Sequence, residues 1–351
     1  MRSSSGWARC LRSVPRSWQF SWAVGLAASL AGCPKPATAP VIDLGEEEVR
    51  DYVPLQFALG DGWRAEVRTE ISVSEGEGPT WTATSRVPLR VLLKEGSTFL
   101  VWGAGSVESA TPGMAFPVES WVGLHRHLAE TPFVERIEAD GSFSGAGSPE
   151  ALMNAQNLAF EAWRATRLDE GLEGRALERA QELYEAARPW FSEAQAQAVL
   201  RESNERLLGR WLLEPVERGV ERLGNGAVFV PEVGAQVVAT VRARFEGEEP
   251  CPQSHADRCV VLFRDSEADT RLLTRELQRA RAERSKVLGD EPGPALSLVE
   301  AQRVERVWLE AETMRPWKSE DTLVVYVEDA AGEGSARTTR MVRTWDWRDA
   351  E

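Results

Sequence analysis

Two long stretches near the start of the chain alternate apolar and polar residues, and this pattern limits the fold more than any other feature. The first runs from Trp63 to Val73 and the second from Trp81 to Leu93, with the turn-forming sequence Ser74–Pro79 between them. A period of two residues gives a β-strand one buried side and one solvent-facing side. Both stretches are about twice the usual strand length of five or six residues. Long strands joined by short turns predict antiparallel hairpins in a curved sheet.

The rest of the chain contains shorter strand-like segments and helix-like segments. Apolar stripes at helical spacing predict a helical block over residues 148–218, opening at Ser148 and Pro149, and one further helix over Glu267–Leu288. The predicted fold class is therefore α+β: a curved antiparallel sheet of long hairpins, half-barrel-like, with a helical insertion. The domain is predicted over residues 51–348, with strands in 51–147, helices in 148–218, and strands plus one helix in 226–348. Further strands are predicted at Phe99–Trp102, Phe133–Ala139, Val228–Val230, Val237–Phe245, Val304–Thr313, Thr322–Glu328 and Arg337–Trp347.

The N-terminus has the features of an export signal. Four arginines and no acidic residue precede an apolar run that ends in Leu30-Ala31-Gly32-Cys33. A basic start, a short apolar segment and a small-residue cleavage site are the parts of a secretory signal peptide. The cysteine directly after the cleavage site resembles the lipobox of bacterial type II signal peptides. This resemblance implies removal of residues 1–32, attachment of a diacylglyceryl group to Cys33, and acylation of the new N-terminus.

A tether and an acidic domain follow the signal peptide. Residues 33–50 are predicted to be the lipidated cysteine and a Pro/acidic tether that holds the domain roughly 20–25 Å from the bilayer. Loss of the four arginines moves the formal net charge from −14 to −18. Such acidity argues against nucleic-acid binding and against adhesion to anionic headgroups, so membrane attachment is expected to come from the acyl chains. No later segment approaches the roughly 18 apolar residues that a transmembrane helix needs.

Cys251 and Cys259 are separated by a short Pro- and Asp-containing sequence. In an oxidising compartment this pair predicts a disulfide that closes a loop or hairpin. The alternative is a metal site that also uses His255, but its spacing does not match a zinc knuckle and a fourth ligand is missing.

Other segments offer little for catalysis or cofactor binding. His125 and His127 would share one face of a strand and could ligate a metal together, although a solvent-facing pair is the simpler interpretation. The glycine-rich segment from Asp140 to Gly147 fits neither dinucleotide-binding nor phosphate-binding spacing and is expected to be an Asp-Gly turn followed by a flexible lead-in to the next helix. No nucleophile motif is present. The sequence therefore predicts no catalytic residue, no metal and no cofactor.

Tryptophan is abundant, since eleven of the fourteen tryptophans lie after residue 32. Large rings on a concave sheet fill space, or they line a cavity for an apolar ligand. Trp63, Trp81, Trp345 and Trp347 are the candidates for such a lining, and packing within a filled core is the alternative.

Long amphipathic hairpins beside inserted helices resemble the half-barrel of the lipoprotein-localisation factors, over residues 51–348. Together with the lipobox and the tryptophans, this resemblance favours a non-enzymatic, lipid-anchored envelope protein that binds an apolar or amphipathic ligand in its sheet. The alternatives are a structural lipoprotein that docks another envelope protein and, third, a hydrolase. Pro34 follows the lipidated cysteine instead of the Asp that retains enteric lipoproteins in the inner membrane, so an outer-membrane location facing the periplasm is expected.

Overall fold

A computed structural model describes residues 51–348 except 77, 79, 111–128, 147–148, 170, 172–173, 176, 179–196, 198–199, 202, 210, 212–215, 231–232, 234, 255–256 and 289–292. Within these ranges the two helices that are described from end to end are α1 (Pro149–Asp169) and α2 (Thr270–Leu288), and a π-helical turn lies at Glu205–Gly209. The strands are β1 (Arg64–Glu75), β2 (Trp81–Lys94), β3 (Ser97–Trp102), β4 (Ser106–Ala110), β5 (Phe133–Ile137), β6 (Phe143–Ala146), β7 (Arg222–Val230), β8 (Ala235–Pro250), β9 (Arg258–Ala268), β10 (Leu296–Glu310), β11 (Pro316–Asp329) and β12 (Gly334–Arg348).

All of these strands belong to one antiparallel sheet. Its order is β6-β5-β3-β2-β1-β12-β11-β10-β9-β8-β7, and β4 pairs with β2 beside β3. The sheet is curved and does not close on itself. The N-terminal hairpins and the C-terminal hairpins meet where β1 pairs with β12, from Arg64 opposite Arg348 to Glu75 opposite Arg337. The predicted α+β class with a half-barrel-like antiparallel sheet is confirmed.

The alternation in the sequence corresponds to the two faces of the sheet. Ala65, Val67 and Val73 on β1 are buried, whereas Arg64 and Arg68 on the same strand are exposed. Residues opposite each other in neighbouring strands lie on the same face. The face that carries Ala65 and Val67 is called the covered face below, and the other is called the open face.

The covered face carries two large apolar clusters, which are separated along the direction of the strands. The first contains Val67, Leu262 and Trp345, and the second contains Val299 together with residues of α2. Leu273 and Leu277 of α2 pack into the second cluster, so this helix lies on the covered face. A smaller cluster around Trp81 lies at the end of β1 and β2 where the two strands are joined.

The C-terminal strands are longer than the sequence predicts. The predicted starts at Val304, Thr322 and Arg337 are replaced by starts at Leu296, Pro316 and Gly334. On β10 and β11 the charged covered-face residues Arg303 and Asp321 interrupt the alternation of apolar and polar residues directly before the predicted starts.

The predicted start of the last helix at Glu267 is wrong. Glu267 lies in β9, a strand that the sequence pattern does not indicate, and the helix begins at Thr270. Asp269 separates the two elements, and its Oδ1 accepts a hydrogen bond from the backbone N–H of Leu272 at 2.8 Å. This is N-capping, which satisfies one of the free amide groups of the first helical turn.

The helical block is only partly described. α1 begins at Pro149, as predicted, and the proposed cap Ser148 lies outside the described residues. Residues 50–351 form one compact unit. No helix of the described part of the chain is both long and apolar enough to cross a membrane.

Candidate functional site on the covered face

The four candidate tryptophans do not all lie together. Trp63 and Trp347 are partly buried and meet edge to face, with ring centroids 6.1 Å apart. Trp345, which is only 1% exposed, belongs to the same first cluster. Trp81 is 2% exposed and belongs to the separate cluster that contains Val73. The structure therefore brings three of the four rings together, and their role in ligand binding stays a prediction.

A buried arginine lies against this tryptophan group. The Arg315 guanidinium lies 4.8 Å from the ring centroid of Trp63 and 4.9 Å from that of Trp317. Its Nη2 also lies 3.2 Å from Glu310 Oε1. A cation over an aromatic face is attracted by the ring quadrupole and is stabilising when both groups are shielded from water. Part of the Trp63 surface is therefore already used for packing.

A row of polar and charged side chains crosses the covered face between the two large clusters. It consists of Arg264 on β9, Arg303 and Glu305 on β10, Asp321 on β11 and Arg343 on β12, and is called the ionic belt below. The register places Arg264 opposite Glu305 and Glu305 opposite Asp321. Arg343 lies opposite Ser319, which is two residues before Asp321 on the same face of β11. Buried Thr69 and Ser85 continue the polar row onto β1 and β2.

Ion pairs connect the belt. Arg303 holds Asp321 with two hydrogen bonds, Nε to Oδ1 at 2.8 Å and Nη2 to Oδ2 at 2.5 Å. Arg303 and Arg264 each lie 3.9 Å from a different oxygen of Glu305. The side chains of Arg264 and Glu305 are each 9% exposed. Charges this deeply buried lose their hydration and are stable only when they are paired.

β10 shows how the belt separates the apolar clusters. On its covered face Val299 belongs to the second cluster, Arg303 and Glu305 belong to the belt, and Val307 and Leu309 belong to the first cluster. The covered face is therefore apolar, then ionic, then apolar along the strand. The alternation pattern alone does not indicate this belt, because it assigns charged residues to the solvent side.

Arg264 extends along the covered face as far as β7. A Cβ added at Gly226 would lie 3.1 Å from Nη2 of Arg264 and 2.7 Å from Cγ2 of Val241. Glycine at this position therefore leaves room for the guanidinium at the edge of the sheet.

Glu135 on β5 adds a buried carboxyl group to this face. Desolvation by burial raises its pKa to about 7, although the Trp102 Nε1–H donates to Glu135 Oε2 at 3.0 Å and the charge of Arg343 acts in the opposite direction. Burial also lowers the pKa of Arg343, against the charges of Asp321 and Glu135. Arg343 Nη1 donates to Ser203 Oγ at 3.3 Å, so the helical block reaches the belt.

The open face carries a different kind of site. A groove of about 560 Å³ is lined by Arg244, Glu246, Arg306 and Trp308, among others. Glu246 accepts hydrogen bonds from Arg306 at 2.6 and 3.2 Å and from Arg244 at 3.0 Å. Burial acts to raise the pKa of Glu246, but these hydrogen bonds and charges lower it below its ordinary value. Glu246 and the two arginines of the groove are thus paired with one another.

The other predicted positions are the disulfide cysteines, the glycine-rich segment, the lipidated cysteine and the histidines. Cys251 and Cys259 form the predicted disulfide, with their Cα atoms 4.9 Å apart. In the glycine-rich segment, Asp140 Oδ1 accepts hydrogen bonds from the backbone N–H and the hydroxyl of Ser142, as in a hairpin turn. The flexible lead-in predicted after this turn is wrong, because Phe143–Ala146 form β6 and pair with β5. No group of three or more potential metal ligands occurs among the residues that the structure describes. Cys33, His125, His127 and His255 lie outside them.

Comparison with known proteins adds little. No family model matches the chain, and no curated protein matches it. Among solved structures, the chain is similar to one described as lipid–protein interactions in lipovitellin, with a TM-score of 0.36 and 7% sequence identity. The similarity covers 83% of this chain and 26% of the lipovitellin chain, so this chain spans about a quarter of the length of the lipovitellin chain. A similarity this weak carries no argument about function.

Proposed function

We propose that the protein is a lipid-anchored envelope lipoprotein, attached through Cys33 to the outer membrane and facing the periplasm. The support for the anchor is the sequence Leu30-Ala31-Gly32-Cys33 behind a basic and then apolar segment. The disulfide between Cys251 and Cys259 fits an oxidising compartment, because such bonds are rare where thiols are kept reduced.

The proposed role of the domain is non-enzymatic binding of an amphipathic ligand on the covered face. The observation that carries this proposal is the ionic belt between two apolar clusters. A ligand with a polar head and an apolar chain matches that order, with its head at Arg343 and its chain along Trp345 and its neighbours. A core selected for stability alone does not need five charged groups on its covered face, two of them buried, because apolar residues of similar volume are often equally stable or more stable.

The test uses the full chain, produced in a bacterium and purified from its membranes beside a Cys33→Ser variant. Intact mass should show a diacylglyceryl and acyl group on the native chain and an unprocessed signal peptide on the variant. Organic extraction should then release a non-covalent amphiphile from the native protein. An unmodified native chain that fractionates away from membranes would refute the anchor.

The head position is tested by Arg343→Gln, with Arg90→Gln as the matched control on the open face. Arg90 is exposed and lies on β2, so its loss changes the net charge equally without touching the belt. The amount of extracted amphiphile should fall in Arg343→Gln and stay unchanged in Arg90→Gln. Equal recovery from both variants, with folding verified by circular dichroism, would contradict the proposed head position.

A structural or partner-docking lipoprotein is the second candidate. It is favoured by the complete burial of Trp81 and Trp345 and by the packing of Arg315 against Trp63, which are features of a filled core. A native protein that carries the anchor but releases no non-covalent amphiphile would support this second function over ligand binding.

A further inference from the structure

α2 differs in charge from the rest of the chain. Its sequence, Thr270–Leu288, contains six basic and two acidic residues, whereas the whole chain carries a net charge of −14. The basic residues are Arg271, Arg275, Arg279, Arg281, Arg284 and Lys286.

The helix places its buried leucines and four of its six basic residues on opposite sides. Leu273 and Leu277 are buried against the sheet. Arg271, Arg275 and Arg279 follow one another at a spacing of four, which places them along a single stripe on the other side of the helix. The side chains of Arg275 and Arg279 are 71% and 69% exposed.

Lys286 lies on the same stripe, because fifteen residues after Arg271 correspond to about four helical turns. Arg271 and Lys286 are both exposed. The stripe therefore presents four cations to solvent over roughly 20 Å of helix length.

The acidic residues of the helix do not cancel this stripe. Glu276 and Glu283 lie to one side of it, 3.2 Å from Arg275 Nη2 and 3.0 Å from Arg279 Nε respectively. Exposed pairs of this kind are weak and are readily exchanged for other partners. The N-cap Asp269 lies at the end of the helix, beyond the stripe.

We propose that the basic stripe of α2 rests against the anionic phospholipid headgroups of the membrane that carries the Cys33 anchor. We choose this partner because the positive charge of the stripe complements the negative charge of the headgroups. The existence of the anchor rests on the proposed function. The apolar side of α2 is used by the sheet, so the contact is electrostatic and the helix does not insert. Each basic residue near an anionic bilayer contributes roughly fivefold in partition.

The net charge of the chain does not oppose this contact. Charges farther away than the Debye length, about 8 Å at physiological ionic strength, are largely screened. The local stripe therefore determines the interaction with a surface that it touches. An anchored domain meets that surface repeatedly within the reach of its tether, so a contact too weak to recruit a free protein still orients an anchored one.

The test places the lipidated full chain in lipid nanodiscs, one set of phosphatidylcholine and one with about 30% phosphatidylglycerol. Amine-reactive labelling followed by mass spectrometry then compares Lys286 with Lys94, the last residue of β2, whose side chain is 72% exposed. Lys286 should be labelled about threefold more slowly on the anionic discs, and raising the salt to about 0.5 M should remove the difference. The labelling of Lys94 should not change.

Two triple variants complete the test. R271Q/R275Q/R279Q removes the stripe but keeps Lys286 as the reporter, and it should abolish the lipid dependence of its labelling. The control R64Q/R90Q/R348Q removes three exposed arginines from the open face and has the same net charge, so it should behave like the native chain.

The anchor and the stripe give separate readouts. Recovery of the native chain on phosphatidylcholine discs reports the anchor, whereas protection of Lys286 on anionic discs reports α2. Recovery without protection would overturn this inference and leave the anchor standing, whereas a chain that fails to associate with phosphatidylcholine discs would contradict the proposed function. Protection that persists in R271Q/R275Q/R279Q would show that another surface contacts the bilayer and would also overturn the inference.

Discussion

Replacing Glu135 by glutamine should stabilise the protein at alkaline pH and have little effect at acidic pH. Glu135 is 6% exposed, and burial raises its pKa from an ordinary 4.5 to about 7. Glutamine has nearly the same shape and still offers an oxygen to the Trp102 Nε1–H. The substitution therefore removes the titration of the buried group and leaves its packing in place.

The sign follows from proton linkage. A carboxyl whose pKa is raised by folding binds its proton more tightly in the folded state, so stability is greatest below the unfolded pKa of 4.5 and is lost as the pH rises through about 7. The shift corresponds to at most about 3 kcal/mol above that pH. Glu135→Gln should therefore raise the free energy of unfolding by about 2–3 kcal/mol near pH 8 and by less than about 1 kcal/mol near pH 5.

Urea unfolding of the chain from Pro34 onward, followed by tryptophan fluorescence, measures both values. The control is Glu138→Gln, one residue beyond the end of β5. Hydrogen bonds from Ser144 and Ser97 lower the pKa of Glu138, so its pH dependence should have the opposite sign. If Glu135→Gln is destabilising near pH 8, the carboxylate is ionised and stabilised by Arg343, and burial is not the dominant influence on its pKa.

Three further experiments test the packing of the sheet. Replacing Cys251 and Cys259 by serine should lower the free energy of unfolding by about 2.5 kcal/mol, as expected for closing a loop with a sequence separation of 8, and the difference from the native chain should disappear in reducing agent. In thermal unfolding, Gly226→Ala should destabilise the protein by about 1–3 kcal/mol because the added Cβ meets two side chains. The control is Gly224→Ala on the same strand, where a Cβ meets nothing within 4 Å, and its stability should lie within about 0.5 kcal/mol of the native value. Arg303→Met should destabilise by about 3–5 kcal/mol in urea because it removes the cation shared by the buried Glu305 and the partly buried Asp321. A loss below about 1 kcal/mol would show that the belt is hydrated.

The long N-terminal hairpin was predictable because its two strands obey one simple rule. On β1 and β2 the residues of one face are apolar or small, from Ala65 to Val73 and from Trp81 to Val91. Period-two alternation then indicates the strand, its length and its buried side without reference to the rest of the chain. The predicted class of fold followed from these two strands and from the short turn between them.

The C-terminal strands were less predictable because the same rule fails there. On β10, Val304 lies on the open face while its neighbours Arg303 and Glu305 point into the protein. The alternation pattern would place Val304 on the covered face and the two charged residues on the open face. It therefore cannot indicate the ionic belt or the correct start of the strand. Only the register with β9 and β11 shows that the charges have partners.

β9 and the helix after it show a second limit of local patterns. β9 is buried on both faces near Cys259 and Val260, so its residues form a continuous apolar run without alternation. Short runs of this kind do not distinguish a strand from a buried helix. The boundary is set by Asp269, whose capping hydrogen bond is visible in the structure.

The tryptophans and the charges together explain why composition is a poor guide to the site of this protein. The abundance of tryptophan suggests a lined cleft, but two of the four candidate rings, Trp81 and Trp345, are as buried as any core residue. The negative net charge suggests a uniformly acidic surface, but α2 is basic and the covered face holds three arginines in its ionic belt. Electrostatic binding depends on the few charged groups within about a Debye length of the ligand. Which groups these are is determined by the register of the strands and by the positions of the side chains around the helix. Both proposals therefore rest on local arrangements that averaging over the chain conceals.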